Sequence, residues 1–167
     1  MSRKRECPFC GKRFGLFRLR FRAVCGNCGQ DLCYQCRYSK PEEPELLNYN
    51  IFNDIPDLWC PSCDEQKIGS IVSERLERYD NSLKLAREVT CYSHRYRGQI
   101  RFIAGDSRHI SSLQFRDRDE AEHNLKINAA YFNYDTIANL HFERETENDG
   151  NYQYTVWRAS GDAGKHA

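Results

Sequence analysis

Apolar positions between residues 68 and 88 recur at Val72, Leu76, Tyr79, Leu83 and Ala86. Steps of four and three place them on one face of a helix. The spacing predicts a helix over 68–88, with Ser70 as its cap and Glu74 and Glu77 favouring its early turns. Beyond it the pattern changes. "VTCYS", "QIRFI" and "HISSLQF" are rich in β-branched and aromatic residues and predict three strands. "DRDEAEHNLKINAAYF" predicts a helix, with Asp117 and Glu120 as a capping box and Ala121, Leu125, Ala129 and Phe132 as its buried face. "DTIANLHFERE" and "YQYTVWRAS" predict two further strands around a turn in "TENDGN". The order β-β-β-α-β-β describes an α+β domain over 89–167.

The stretch before residue 68 has another texture. It contains all five prolines (Pro8, Pro41, Pro44, Pro56 and Pro61) and eight of the nine cysteines. That composition predicts a small loop-rich domain over 1–67, joined by the helix over 68–88 to the α+β domain. Within it, "PEEPELLNYNIFNDIPDLW" begins as an acidic, proline-rich loop. Its Leu46, Leu47, Ile51, Phe52, Ile55, Leu58 and Trp59 are too many to leave in water, so part of it should fold back on a core.

Charge sharpens this division. The formal net charge is only +1, which gives no global signal for nucleic acid. Residues 1–40, however, hold ten Lys and Arg against Glu6 and Asp31, and 41–69 hold seven acids against Lys67. No apolar run reaches the ~20 residues a membrane-spanning helix needs. "MSRKREC" is basic but no apolar segment follows it, so a secretory signal is not expected. A cytoplasmic protein is expected, in a compartment where disulfides are disfavoured.

The cysteines carry the strongest chemical signal. They fall in four Cys-x-x-Cys pairs, Cys7/Cys10, Cys25/Cys28, Cys33/Cys36 and Cys60/Cys63, with Cys91 alone. Such a pair lets two thiolates converge on one ion, and four thiolates close a tetrahedral structural zinc site. Four pairs predict two structural Zn2+. Sequential pairing would group 7, 10, 25 and 28, then 33, 36, 60 and 63. Interleaved pairing would group 7, 10, 33 and 36, then 25, 28, 60 and 63. The four-residue gap between the second and third pairs suits the interleaved form.

"CPFCGKRFGLFRLRFRAVCGNCGQDLCYQCRYSK", closed by "CPSC", resembles a FYVE-type double zinc finger. The resemblance implies a cross-braced fold, with Cys7, Cys10, Cys33 and Cys36 on one zinc and Cys25, Cys28, Cys60 and Cys63 on the other. Phe14 stands where that family has an aromatic, and residues 18–24 stand where it has a basic strand. A RING finger fits less well, for lack of a His near the fourth ligand. The family reads phosphatidylinositol 3-phosphate, but its W-x-x-D, R-R/K-H-H-C-R and R-V-C stretches are replaced here by "MSRKRE", "RLRFRAVCG" and "DLW". On a strand, Arg18, Arg20 and Arg22 would share one face. The plainest reading is a solvated basic face. An anionic lipid head group or an acidic protein partner are the alternatives, and nucleic acid is disfavoured.

The second domain shows no catalytic constellation. His94, His109, His123, His141 and His166 have no paired spacing, and no nucleophile or phosphate-loop motif occurs. Cys91 lies in a predicted strand, where it should be buried and inert. "DEAEHNLKINAAYFNYDTIANLHFERE" with "YQYTVWRASGDA" resembles the small α+β YbjQ-like family, with Asp135, Ile137 and Gly161 at corresponding positions. That resemblance implies a ring-like homo-oligomer, pentameric in that family, and metal binding. Together these features predict a non-enzymatic zinc-binding adaptor: a finger that recognises a protein partner and a second domain that self-associates. A membrane-targeting module acting through Arg18, Arg20 and Arg22 is the alternative.

Overall fold

The computed structural model describes residues 6–15 and 21–167. Contacts divide the chain into two compact units. One comprises Met1–Glu43 and Ile51–Leu76, the other Pro44–Asn50 and Glu77–Ala167. The chain therefore lends seven residues of the acidic stretch to the second unit and then returns to the first.

The first unit has little regular structure. Strand β1 (Arg22–Val24) pairs antiparallel with β2 (Asp31–Cys33), and β3 (Tyr38–Ser39) with β4 (Leu58–Trp59). A 3-10 turn covers Tyr34–Cys36. After β4 the chain turns into helix α1 (Pro61–Cys63), which runs through a π-helical turn at Asp64–Ile68 into α2 (Gly69–Leu85). Pro61 occupies the first helical turn, where a missing N–H costs nothing. The helical course thus begins earlier than the apolar spacing predicts. Ser70 does not cap it: its hydroxyl donates to the Lys67 carbonyl from inside the helix, at 2.8 Å. Leu32, Ile51, Phe52, Ile55, Trp59 and Ile68 are buried. Glu43 closes the base of the 44–50 excursion by accepting from the backbone N–H of Ile51 (2.8 Å) and Phe52 (3.1 Å).

The second unit is a four-stranded sheet with one helix packed on it. Strands β5 (Thr90–Ser93), β6 (Phe102–Ser111), β7 (Thr136–Asp149) and β8 (Tyr152–His166) lie in the order β5-β7-β8-β6. β5 is parallel to β7, and the other pairings are antiparallel. Helix α3 (Arg118–Tyr131) starts at Asp117, whose carboxylate accepts from the N–H groups of Asp119 and Glu120. Ala121, Leu125 and Ala129 form its buried stripe, against Ile110, Ile137, Leu140, Ala159 and Ala163.

Two details correct the expected β-β-β-α-β-β order. "QIRFI" and "HISSLQF" are not separate strands. They contribute to the single strand β6, which bends at Gly105 (φ +79°) and still pairs with β8 on both sides of that bend. Only glycine takes this left-handed conformation readily, so the strand bulges where composition predicts a break. The observed order is β-β-α-β-β. The β7–β8 hairpin also runs through most of the expected turn, because polar cross-strand pairs such as Thr146 with Thr155 and Asn148 with Gln153 continue the ladder. The reversal is confined to Gly150 (φ +61°) and Asn151, between the paired Asp149 and Tyr152.

The borrowed segment Pro44–Asn50 is held by two asparagines on α3. Asn124 donates to the Leu46 carbonyl (2.9 Å) and accepts from the N–H of Leu113 (3.0 Å) and from Asn128 (3.2 Å). Asn128 accepts from the N–H of Asn48 (3.2 Å). Both side chains are fully buried, so these bonds offset a large desolvation cost.

Asp135, Ile137 and Gly161 lie around the start of β7. Ile137 is buried, and Gly161 sits where a Cβ would come 2.7 Å from Ile137 Cγ2 and 2.8 Å from the Ala138 carbonyl. Asp135 accepts from the His166 N–H and the Thr136 hydroxyl, both at 2.9 Å. Partial burial would raise its carboxyl pKa, but these two bonds, together with His166 and Lys165 nearby, outweigh it and the net direction is downward. Among the described residues, no helix is long and apolar enough to cross a membrane.

Candidate metal centres

Two local designs present the cysteines. The first two pairs lie in tight turns. In each, the N–H of the glycine after the second cysteine bonds the carbonyl of the first: Gly11 to Cys7 at 2.8 Å, Gly29 to Cys25 at 2.9 Å. The N–H of the first cysteine then bonds a carbonyl five residues on: Cys7 to Lys12 and Cys25 to Gln30, both at 2.9 Å. Gly11 (φ +67°) and Gly29 (φ +72°) adopt the left-handed conformation that closes each turn. The other two pairs lie on helical turns, Cys33/Cys36 around the 3-10 turn and Cys60/Cys63 around α1. A helical turn also points residues three apart to one side.

One turn of each design meets in each group. The sulfurs of Cys7, Cys10, Cys33 and Cys36 lie within 4.8 Å of one another, as do those of Cys25, Cys28, Cys60 and Cys63. This is the interleaved grouping. Cys10 and Cys33 sulfurs are 3.8 Å apart, Cys25 and Cys63 3.8 Å, and Cys28 and Cys60 3.7 Å. Tetrahedral ligands on a single ion with ~2.3 Å metal–sulfur bonds have sulfurs ~3.8 Å apart. The donor sets therefore fit one four-coordinate ion each. An iron–sulfur cluster spreads its cysteines over several irons and would hold them further apart.

Backbone donors reinforce the thiolates. The N–H of Cys33 points to Cys7 Sγ and that of Cys60 to Cys25 Sγ, both at 3.4 Å, so the two groups repeat each other in detail. Burial would push the Cys7 thiol up, but donors including the N–H groups of Cys33, Phe9 and Cys10 bring it down to about 7. Cys25 is brought down to about 6 against the same burial, by the N–H groups of Cys28, Asn27 and Cys60 among others. Burial first, and then neighbouring thiols, push Cys36 up, and Cys60 rises to about 12. Four thiols this close resist ionising together. A divalent cation at their centre offsets that repulsion and favours all four thiolates.

Three participants beyond the cysteines went unread in the sequence. Gly11 and Gly29 were visible as a repeated Cys-x-x-Cys-Gly. Asn27, whose side-chain amide donates to Cys63 Sγ at 3.2 Å, gave no local signal, because its partner is 36 residues away.

Of the three arginines in the basic stretch, Arg18 and Arg20 lie outside the described residues. Arg22 is engaged. Its guanidinium grips Asp31 in a fork across the β1–β2 pair, with N···O distances of 2.7 and 2.5 Å. Cys91 is half-buried against the core of the second unit, and burial pushes its thiol up to about 11, an unreactive state at neutral pH.

No family model, curated protein or solved structure matches this chain. The FYVE-type and YbjQ-like resemblances thus rest on the residues that carry them.

Proposed function

We propose that this protein is a non-enzymatic, zinc-binding interaction protein. Its first unit is a recognition module built on two structural Zn2+, and its second unit serves self-association. The observation that carries the reading is the pair of four-cysteine groups with sulfurs spaced for a single tetrahedral ion. Zinc is favoured over other ions because an all-thiolate tetrahedron suits a borderline-soft ion without a geometric preference of its own. Four sulfurs leave no open position for a reactive water, which makes the role structural rather than catalytic.

Self-association is supported by the sheet order, which leaves β5 and β6 as edge strands among the described residues. β6 also exposes Ile103. Several copies of the recognition unit displayed together would gain avidity for a repeated or multivalent protein partner. The membrane-targeting alternative is weakened by the pairing of Arg22 with Asp31, which removes one of its three cations from an outward-facing role.

Elemental analysis of the purified chain, combined with sedimentation, tests both halves. Two zinc ions per chain and a mass above that of one chain are expected. Fewer than two zincs would overturn the metal assignment, and a monomer at micromolar concentration would overturn the self-association.

A further inference from the structure

The histidines, unpaired in sequence, are partly paired in space. His94 follows the end of β5, and His141 lies on β7. Their rings meet edge to face with centroids 5.7 Å apart, and His94 Nδ1 lies 3.4 Å from the Leu140 carbonyl. They line a crevice of about 530 Å³ in the second unit, with Arg95, Arg118, Glu122, Phe142 and Trp157.

The topology explains why a crevice forms here. β5 ends at Ser93, whereas its parallel neighbour β7 continues to Asp149. Among the described residues, no strand pairs with that edge of β7 beyond the carboxyl end of β5. In open parallel α/β sheets ligands bind outside the carboxyl ends of strands, and the parallel β5–β7 pair offers a local counterpart within a mostly antiparallel sheet. The sheet is also irregular at this point. The register of β7 against β8 shifts between Ala138 and His141, and Asn139 there has φ +56°, rare for a non-glycine residue. Bulges of this kind re-aim side chains and are over-represented beside functional sites.

The charge is one-sided. Among the described residues, neither Arg95 nor Arg118 has a carboxylate partner. Glu122, the only acid in the lining, is paired with Lys126 at 2.9 Å. The Arg118 guanidinium lies 4.0 Å from the ring centroid of Phe142, which orients it without neutralising it. Arg95, Arg118, Phe142 and Trp157 all border one cavity. Its size falls within the ~300–1,000 Å³ of small-molecule sites.

We propose that this crevice binds a small organic phosphate, with the phosphate held between Arg95 and Arg118 and the organic part against Trp157. A guanidinium suits a phosphate because its N–H groups bond two oxygens at once. The site is independent of the metal centres and of the function proposed from them.

The test is a titration of the full zinc-loaded chain at low ionic strength, read by NMR with the Trp157 indole N–H as reporter. Inorganic phosphate, adenosine monophosphate and adenosine are the probes. Phosphate is expected to bind at millimolar concentration, the monophosphate more tightly, and adenosine without the phosphate about tenfold or more weaker than the monophosphate. Arg95 lies in an exposed turn, so Arg95→Gln is expected to leave the fold intact. It is expected to weaken phosphate at least about tenfold, and adding Arg118→Gln should abolish binding. No response to phosphate, or equal binding by the Arg95→Gln chain, would overturn the proposal.

Discussion

The two units of this chain solve the same problem by opposite means. In the second, strands of 14 and 15 residues and a capped helix enclose a contiguous apolar core. In the first, described strands are two or three residues long, and cysteines make up much of what is buried. A core needs enough residues to bury, and a small loop-rich segment lacks them. A metal ion in each four-cysteine group would substitute by tying together pieces distant in sequence, such as Cys7 with Cys33 and Cys25 with Cys60. The comparison therefore predicts that one unit depends on metal and the other does not.

The largest expected effect follows directly. Chelation should unfold the first unit and leave the sheet of the second intact, because a structural zinc ion of the proposed kind would supply ~10–16 kcal/mol of apparent binding energy to folding. Cys28→Ser should have the same outcome at one site. Circular dichroism and amide NMR would report it, as loss of dispersion in one unit only. Simultaneous loss of both units would break the comparison.

Next come changes in the apolar core. Leu125→Ala on α3 should destabilise the second unit by ~2–5 kcal/mol while leaving metal content unchanged. Gly161→Ala should cost ~1–3 kcal/mol, because the added methyl would meet Ile137 and the Ala138 carbonyl at under 3 Å, and the carbonyl belongs to the backbone. Both are measured by denaturant unfolding followed on signals from the sheet.

A smaller effect sharpens the boundary between the units. Asn128→Ala should cost ~1–3 kcal/mol by leaving the Asn48 N–H without its acceptor. Faster hydrogen exchange over 44–50, with the first unit unchanged, is the expected signature. The smallest effect is the helix cap: Asp117→Ala should cost ~1 kcal/mol, seen as a small drop in the second unit's unfolding midpoint.

These experiments probe features of unequal visibility in the sequence. The four cysteine pairs are legible because ligand spacing is a local property, and the short gap between the second and third pairs favours the interleaving of sulfurs that the structure displays. Helix α3 is legible because Asp117 and the Ala121, Leu125, Ala129 stripe are local as well. The course of β6 is not, since a left-handed Gly105 can end a strand or merely bend it, and only the partner strand decides. Nor is the destination of residues 44–50. Asn124 and Asn128 read as polar positions on a helix, and their partners are about 80 residues away in the chain. The crevice was hidden for the same reason, because His94 and His141 meet only once β5 pairs with β7.

The central claim is that two interleaved four-cysteine groups each hold one zinc ion. Cadmium-substituted NMR tests it most directly, since scalar coupling connects each ion to the β-protons of its own ligands. The account predicts two cadmium resonances, one coupled to Cys7, Cys10, Cys33 and Cys36, the other to Cys25, Cys28, Cys60 and Cys63. A single resonance, or one ion coupled to both Cys33 and Cys60, would contradict it.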